Sequence, residues 1–110
     1  MEYPLCDRTV TIYRLENGQV TRRVAQGCFF RRERRIVQDG QGLRRERSFL
    51  LIQPGENPIY PGDRIFPGEG PAVSVAQWQA FTPEQVDELE VVCRARAYHF
   101  RGKTCHYEAE

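Results

Sequence analysis

Two thiols and two imidazoles fall close together near the end of the chain: Cys93, His99, Cys105 and His106. Thiolate and imidazole are zinc ligands, and a hairpin over this stretch would bring them near one another. Zinc sites usually take paired ligands two to four residues apart, whereas Cys105 and His106 are adjacent and point to opposite faces of a strand. The spacing therefore favours a buried thiol and an exposed imidazole over a metal centre. A Cys-His nucleophile pair is formally available, but nothing in the sequence supplies the third group that would orient it. The acids Glu84, Asp87, Glu88 and Glu90 lie on or near a short helical signal, where carboxylates favour the helix N-terminus and solvent, and they form no evident acid-base pair. Gly68 and Gly70 lack the strand-loop-helix context and the lysine of a phosphate loop. No catalytic residue, metal or cofactor is expected.

The other residues with chemistry to offer are arginines. Residues 22–47 hold nine of them against Glu33, Asp39 and Glu46, a net of +6, which leaves −5 for the rest of a chain of net charge +1. Arginine outnumbers lysine fifteen to one, and forked guanidinium groups favour carboxylate and phosphate contacts at interfaces. A basic arm and an acidic body result, and the arm of one copy could meet the body of another. Arg31, Arg32, Arg34, Arg35, Arg44, Arg45 and Arg47 are the candidate partner-binding residues. The same arginines near Phe29, Phe30 and Phe49 could instead contact nucleic acid. Those aromatics belong to the hairpin base and hence to the core, so the docking arm is the stronger reading.

The element that must position these arginines is Cys28 to Gln53, CFFRRERRIVQDGQGLRRERSFLLIQ, which reads as one long β-hairpin. Phe29, Phe30 and Phe49 to Ile52 can sit in a core at its base. The arms beyond carry almost nothing to bury, so the hairpin should project over about residues 31–48. Opposed like charges destabilise a ladder. A two-residue Asp39-Gly40 turn would set Glu33 against Glu46, whereas a three-residue loop Asp39-Gly40-Gln41 sets Arg34 against Glu46 and Glu33 against Arg47. The second register is expected, with Gly40 or Gly42 left-handed; a tip that orders only on meeting a partner is the alternative.

Around this hairpin the chain reads as strands and turns. RTVTIYR alternates with period two, placing Val10 and Ile12 on one face and Thr9, Thr11 and Tyr13 on the other. Asn17-Gly18 turns it into a return strand, Gln19 to Ala25, and Gly27 marks a bulge or corner. Residues 54–71 hold five of the seven prolines; within them Pro61-Gly62 suits a type II turn feeding a strand through Phe66. Ala72 to Phe81 looks irregular, with Trp78 as a plug under a loop. Thr82-Pro83-Glu84-Gln85 has the pattern of a helix start. EVVCRARAYHF follows as a strand, with Val91, Cys93, Ala95 and Ala97 on one face. Arg101-Gly102 then turns the chain into a last strand, KTCHYE. One mainly β domain over residues 1–110 is expected, a small antiparallel β-barrel or sandwich with a long protruding hairpin and one short helix.

At 110 residues such a domain buries about two-thirds of its unfolded surface. No apolar run approaches the roughly 18 residues of a membrane helix, so no membrane partner is expected. MEYPLCDR shows no basic region followed by an apolar one, so the reading expects no export signal and reduced thiols.

The order of landmarks resembles the small head-tail connector and minor capsid proteins of tailed bacteriophages and prophages. The resembling residues are Thr9-Val10-Thr11-Ile12-Tyr13, Gly27-Cys28-Phe29-Phe30, Phe49-Leu50-Leu51-Ile52-Gln53-Pro54, Tyr60-Pro61-Gly62-Asp63-Arg64-Ile65 and the closing pair from Phe100 to Ala109. The resemblance implies a non-enzymatic β-barrel in a homo-oligomeric ring between portal and tail, with its hairpin packed on neighbouring subunits. Its partners would be portal, adaptor or tail proteins. Its location would be the bacterial host cytoplasm during assembly and then the head-tail junction of the virion.

Overall fold

The computed structural model describes residues 6–110, apart from the side chain of Arg45. The strands are β1 (Arg8–Glu16), β2 (Gln19–Asp39), β3 (Gly42–Pro54), β4 (Arg64–Pro67), β5 (Glu90–Val91), β6 (Ala95–Phe100) and β7 (Lys103–Ala109), with a single helical turn α1 (Val75–Trp78). All pair antiparallel in the order β5-β4-β1-β2-β3-β7-β6. The fold is mainly β, as the alternating sequence indicates. It is not a closed barrel, because the end strands β5 and β6 are not paired with each other. It is sandwich-like instead: β2 belongs to two half-sheets, pairing with β1 through residues 19–28 and with β3 through residues 29–39.

The hinge between the halves is Gly27. Arg8 pairs with Cys28 and Val10 with Ala25, so β2 carries one residue more than β1 across this step. Gly27 takes φ +69°, the left-handed conformation of a glycine bulge. The extra residue changes which parity of side chain faces inward. Before it, Arg23 and Ala25 point in with Val10 and Ile12; after it, Cys28 and Phe30 do, across from Phe49 and Leu51.

The main core gathers between the half-sheets from Val10, Ile12, Ala25, Cys28, Leu51, Ile65 and their buried neighbours. The opposite face of β1 carries Tyr13, which packs with Phe81 and Leu89 beneath the segment joining β4 to β5. Both halves of the expected alternation in β1 are thus used. Tyr13 and Phe81 meet edge to face at 4.7 Å, and the Arg64 guanidinium lies 3.7 Å from the centre of the half-buried Trp78 ring. The Tyr13 hydroxyl donates to the Pro71 carbonyl at 2.7 Å, while Thr11 Oγ1 donates to Gly68 O and accepts from Gly70 N–H, both at 2.8 Å. The proline- and glycine-rich turn before β4 is seated by Asp63, only 1 % exposed, which accepts from Arg14 Nε and Nη2 at 2.9 and 2.8 Å. The Asp63 N–H bonds to Tyr60 O at 3.1 Å with Gly62 at φ +92°, consistent with the Pro61-Gly62 turn.

Three expectations need correcting. The helix does not start at Thr82; that stretch forms only turns, and the four-residue α1 lies in the segment expected to be irregular. Ser74 and Gln77 build a reciprocal capping box there, while the chain after Thr82 must cover Tyr13 with Leu89 and reach the sheet edge at Glu90. EVVCRARAYHF is not one strand but β5 and β6, divided where the chain crosses between half-sheets. Val92 is consequently buried and Cys93 exposed, opposite to the expected alternation. The long hairpin also takes a third register, with Asp39 opposite Gly42 around a two-residue Gly40-Gln41 turn. Gly42 is left-handed at φ +111°, and the Asp39 carboxylate accepts from Gln41 N–H at 2.8 Å.

Gly70 has no room for a side chain, since a Cβ would collide with the Tyr13 hydroxyl and sit 3.1 Å from the Phe66 ring. Gly70→Ala should therefore cost about 1–3 kcal/mol, the range for overpacking. Urea unfolding measures this, and an unchanged midpoint would contradict the placement of this segment on β1.

Candidate functional site: an arginine-rich arm clamped by Glu90

The hairpin of β2 and β3 projects as its composition requires. The radius of gyration is 15.2 Å, with extents of 48 × 34 × 22 Å, against about 13 Å for a compact domain of this length. Register decides where its arginines point. Arg32, Arg34 and Arg47 share the inward parity of Phe30 and Phe49, whereas Arg31, Arg35 and Arg44 lie on the outer face.

The inward arginines meet Glu90. This residue pairs with Ile65 on the edge strand β5 and so faces the interior; its side chain is 8 % exposed. Glu90 Oε1 lies 3.3 Å from Arg32 Nε, 3.4 Å from Arg47 Nη2 and 3.9 Å from Arg34 Nη2. Arg47 and Arg34 also donate to the Asp87 carbonyl at 2.8 and 3.3 Å. One carboxylate and one carbonyl thus gather three guanidinium groups where the core ends. Arg34 stands directly opposite Arg47, a pairing that charge alone disfavours. Glu90 offsets part of this repulsion from the body, a partner outside the hairpin.

On the outer face the charges pair within the hairpin. Arg35 lies 3.0 Å from Glu46, Arg44 3.1 Å from Glu46 and 3.2 Å from Asp39, and Arg31 3.8 Å from Glu33. Six of the seven candidate arginines therefore have a carboxylate within 4 Å in their own chain; the side chain of the seventh, Arg45, lies outside the described residues. The arm is less of an open cationic surface than its composition suggests.

Two residues passed over in the sequence argument become prominent. Ile36 is 67 % and Leu43 73 % exposed. Ile36 pairs with Arg45 and Leu43 with Gln38, so the two lie diagonally on the inward-facing side, beyond the reach of the body. Three branched aliphatic residues in an otherwise polar arm, Ile36, Val37 and Leu43, were the available signal; Val37 is half-buried on the outer face. A notch of about 720 Å³ between arm and body is lined by Arg34, Arg35, Ile36, Glu46, Arg47 and Asp87.

The thiols and imidazoles considered first take separate places. Cys93 is exposed and Cys105 only half-buried, so neither is the buried thiol expected there, and the His106 side chain is only 16 % exposed; the buried thiol is Cys28, in the core, where burial pushes it up to about 11. His106 stacks on Tyr98 at 4.7 Å and has Nε2 3.7 Å from Glu108, while His99 Nδ1 is 3.1 Å from the Thr104 hydroxyl. Among the described residues no three His, Cys, Asp or Glu side chains converge as a metal-binding group. No helix among them is long and apolar enough to cross a membrane. No protein-family model, curated protein or solved structure matches the chain.

Glu90→Ala should cost about 1–3 kcal/mol in urea unfolding, below the range for breaking a fully buried ion pair because the arginines are partly solvated. Amide exchange over residues 31–47 should accelerate with it, and a loss under about 0.5 kcal/mol would remove the clamp. At pH 8 iodoacetamide should label Cys93 in the native protein and Cys28 only on unfolding, because the buried thiol stays protonated. The unfolded chain ionises Cys28 near 9.0 and the folded one near 11, so this thiol's contribution to stability is complete below pH 9 and is lost as pH rises towards 11.

Proposed function

We propose that this chain is a non-enzymatic structural protein of the phage head-tail connector type, docking to neighbouring subunits through its projecting hairpin. The observation that carries the docking reading is the division of labour along the arm. Each of its described arginines lies within 4 Å of a carboxylate of the same chain, six arginines sharing Glu33, Asp39, Glu46 and Glu90, while Ile36 and Leu43 stand exposed towards the tip. Charge pairs of this kind orient and select a partner, and exposed aliphatic side chains supply the area that protein contacts bury. The connector assignment rests on the resemblance in strand order and turns. Portal, adaptor or tail proteins and further copies in a ring are the corresponding partners, met in the host cytoplasm and then at the head-tail junction.

A nucleic-acid surface built from the same arginines is the second reading. It needs guanidinium groups free for phosphate, and the pairing with Glu33, Asp39, Glu46 and Glu90 weakens it.

Replacing Arg34 to Leu43 by a short turn should leave the cooperative unfolding transition in place and abolish assembly, read by sedimentation with the partner proteins. Loss of folding would mean that the arm is part of the core. Salt-dependent, submicromolar DNA binding abolished by charge reversal at Arg34, Arg35, Arg44 and Arg45 would replace this reading with the nucleic-acid one.

A further inference from the structure

Two surfaces of this molecule complement each other but cannot meet within one chain. The first is the far part of the arm, with Ile36 and Leu43 exposed on one side and the charge-paired Arg35, Glu46, Arg44 and Asp39 on the other. The second is a groove of about 340 Å³ where the turn after β5 passes the C-terminal strands; its apolar lining includes Leu50, Pro61, Ala95, Tyr98 and Ala109. Glu108 and Glu110 also line it, together with Arg94 and Arg96, and Arg94 Nε lies 3.7 Å from Glu110. Each surface therefore has apolar groups bordered by both signs of charge. That arrangement suits a protein partner of mixed charge and offers little to a polyanion or an anionic membrane.

The two surfaces stand apart along one strand. Leu50 in the groove and Leu43 on the arm are seven positions apart on β3, about 23 Å at the usual strand rise. The arm points away from the groove, so only another molecule can fill it. We infer that the groove receives the arm tip of a second copy, with Ile36 and Leu43 entering the apolar lining while Arg35 and Arg44, on the other face of the ribbon, keep their pairs with Glu46 and Asp39. This inference rests on the docking-arm reading and adds the receiving surface. The contact is heterologous, arm to groove, and therefore repeats from copy to copy, closing into a ring when the rotation permits and running on as a filament when it does not.

Cys93 supplies a built-in reporter, being exposed and part of the groove lining. In the full chain, Leu43→Cys followed by mild oxidation should give a ladder of disulfide-linked oligomers. The ladder should vanish in Leu43→Cys/Cys93→Ser and should not form in the unsubstituted chain, and peptide mapping should join position 43 to Cys93. In parallel, Ile36→Asp/Leu43→Asp should lower the self-association constant about tenfold or more by sedimentation, with an unchanged urea midpoint showing that the fold is intact. A link mapped to another cysteine, while the aspartate variant still loses association, overturns the groove and keeps the docking arm. Association unaffected by the aspartates overturns the docking arm itself. A chain that stays monomeric up to about 1 mM and gives no ladder overturns the copy-to-copy contact.

Discussion

The structure depends on one inserted residue. A strand alternates its faces strictly, so a single extra position exchanges inward and outward side chains for everything beyond it. Gly27 supplies that position with a left-handed φ. Upstream, odd-numbered residues of β2 meet the core; downstream, even-numbered ones do. Without the bulge, Phe29, Arg31, Glu33 and Arg35 would turn inward in place of Cys28, Phe30, Arg32 and Arg34. Glu33 would then approach Glu90 among the arginines, and the clamp would carry two carboxylates instead of one. The bulge thus sets both the packing of the two half-sheets and the electrostatics of the arm that leaves them.

The clamp explains a register that cross-strand charge arguments reject. Sliding the hairpin by one residue would set Arg34 against Glu46 and Glu33 against Arg47, an improvement of a few tenths of a kcal/mol per pair. It would also take Phe49 and Leu51 off the inward face, and burying one such side chain is worth about 1.5–3 kcal/mol. Core packing wins by magnitude. The residual repulsion between Arg34 and Arg47 is answered by Glu90 and by the Asp87 carbonyl, neither of which lies within the hairpin.

This contrast also marks what the sequence could yield. The two-faced β1, the Asn17-Gly18 turn, the Pro61-Gly62 turn and the projecting hairpin depend on neighbours in sequence and on a period of two, and all were legible. The hairpin register, the break at Val92 and the role of Glu90 depend on residues more than forty positions apart that the fold brings together. A local reading places Glu90 among solvated acids, since its burial comes from lying opposite Ile65 on a two-residue strand. The helix is misplaced for a similar reason: Thr82-Pro83 carries the stronger start signal, but the chain breaks into separate turns there as Phe81, Val86 and Leu89 pack on Tyr13. Ile36 and Leu43 are visible in the sequence, but too few to build a core, and they remain exposed.

An arm with so little to bury could be expected to fray. Its outer face carries a chain of charge contacts from Arg35 through Glu46 and Arg44 to Asp39, and the Asp39 side chain fastens the turn through the Gln41 N–H. Exposed ion pairs contribute little individually. A connected set along the outer face, together with the Glu90 clamp at the base of the inner face, holds the arm by contacts at both its tip and its root. That costs less at the moment of docking than ordering a free loop would. The apolar pair then reaches a partner already presented on a stiff ribbon, with its arginines turned aside onto carboxylates of their own chain. In this arrangement the arginines hold and aim the arm, while the area that a partner could bury is aliphatic.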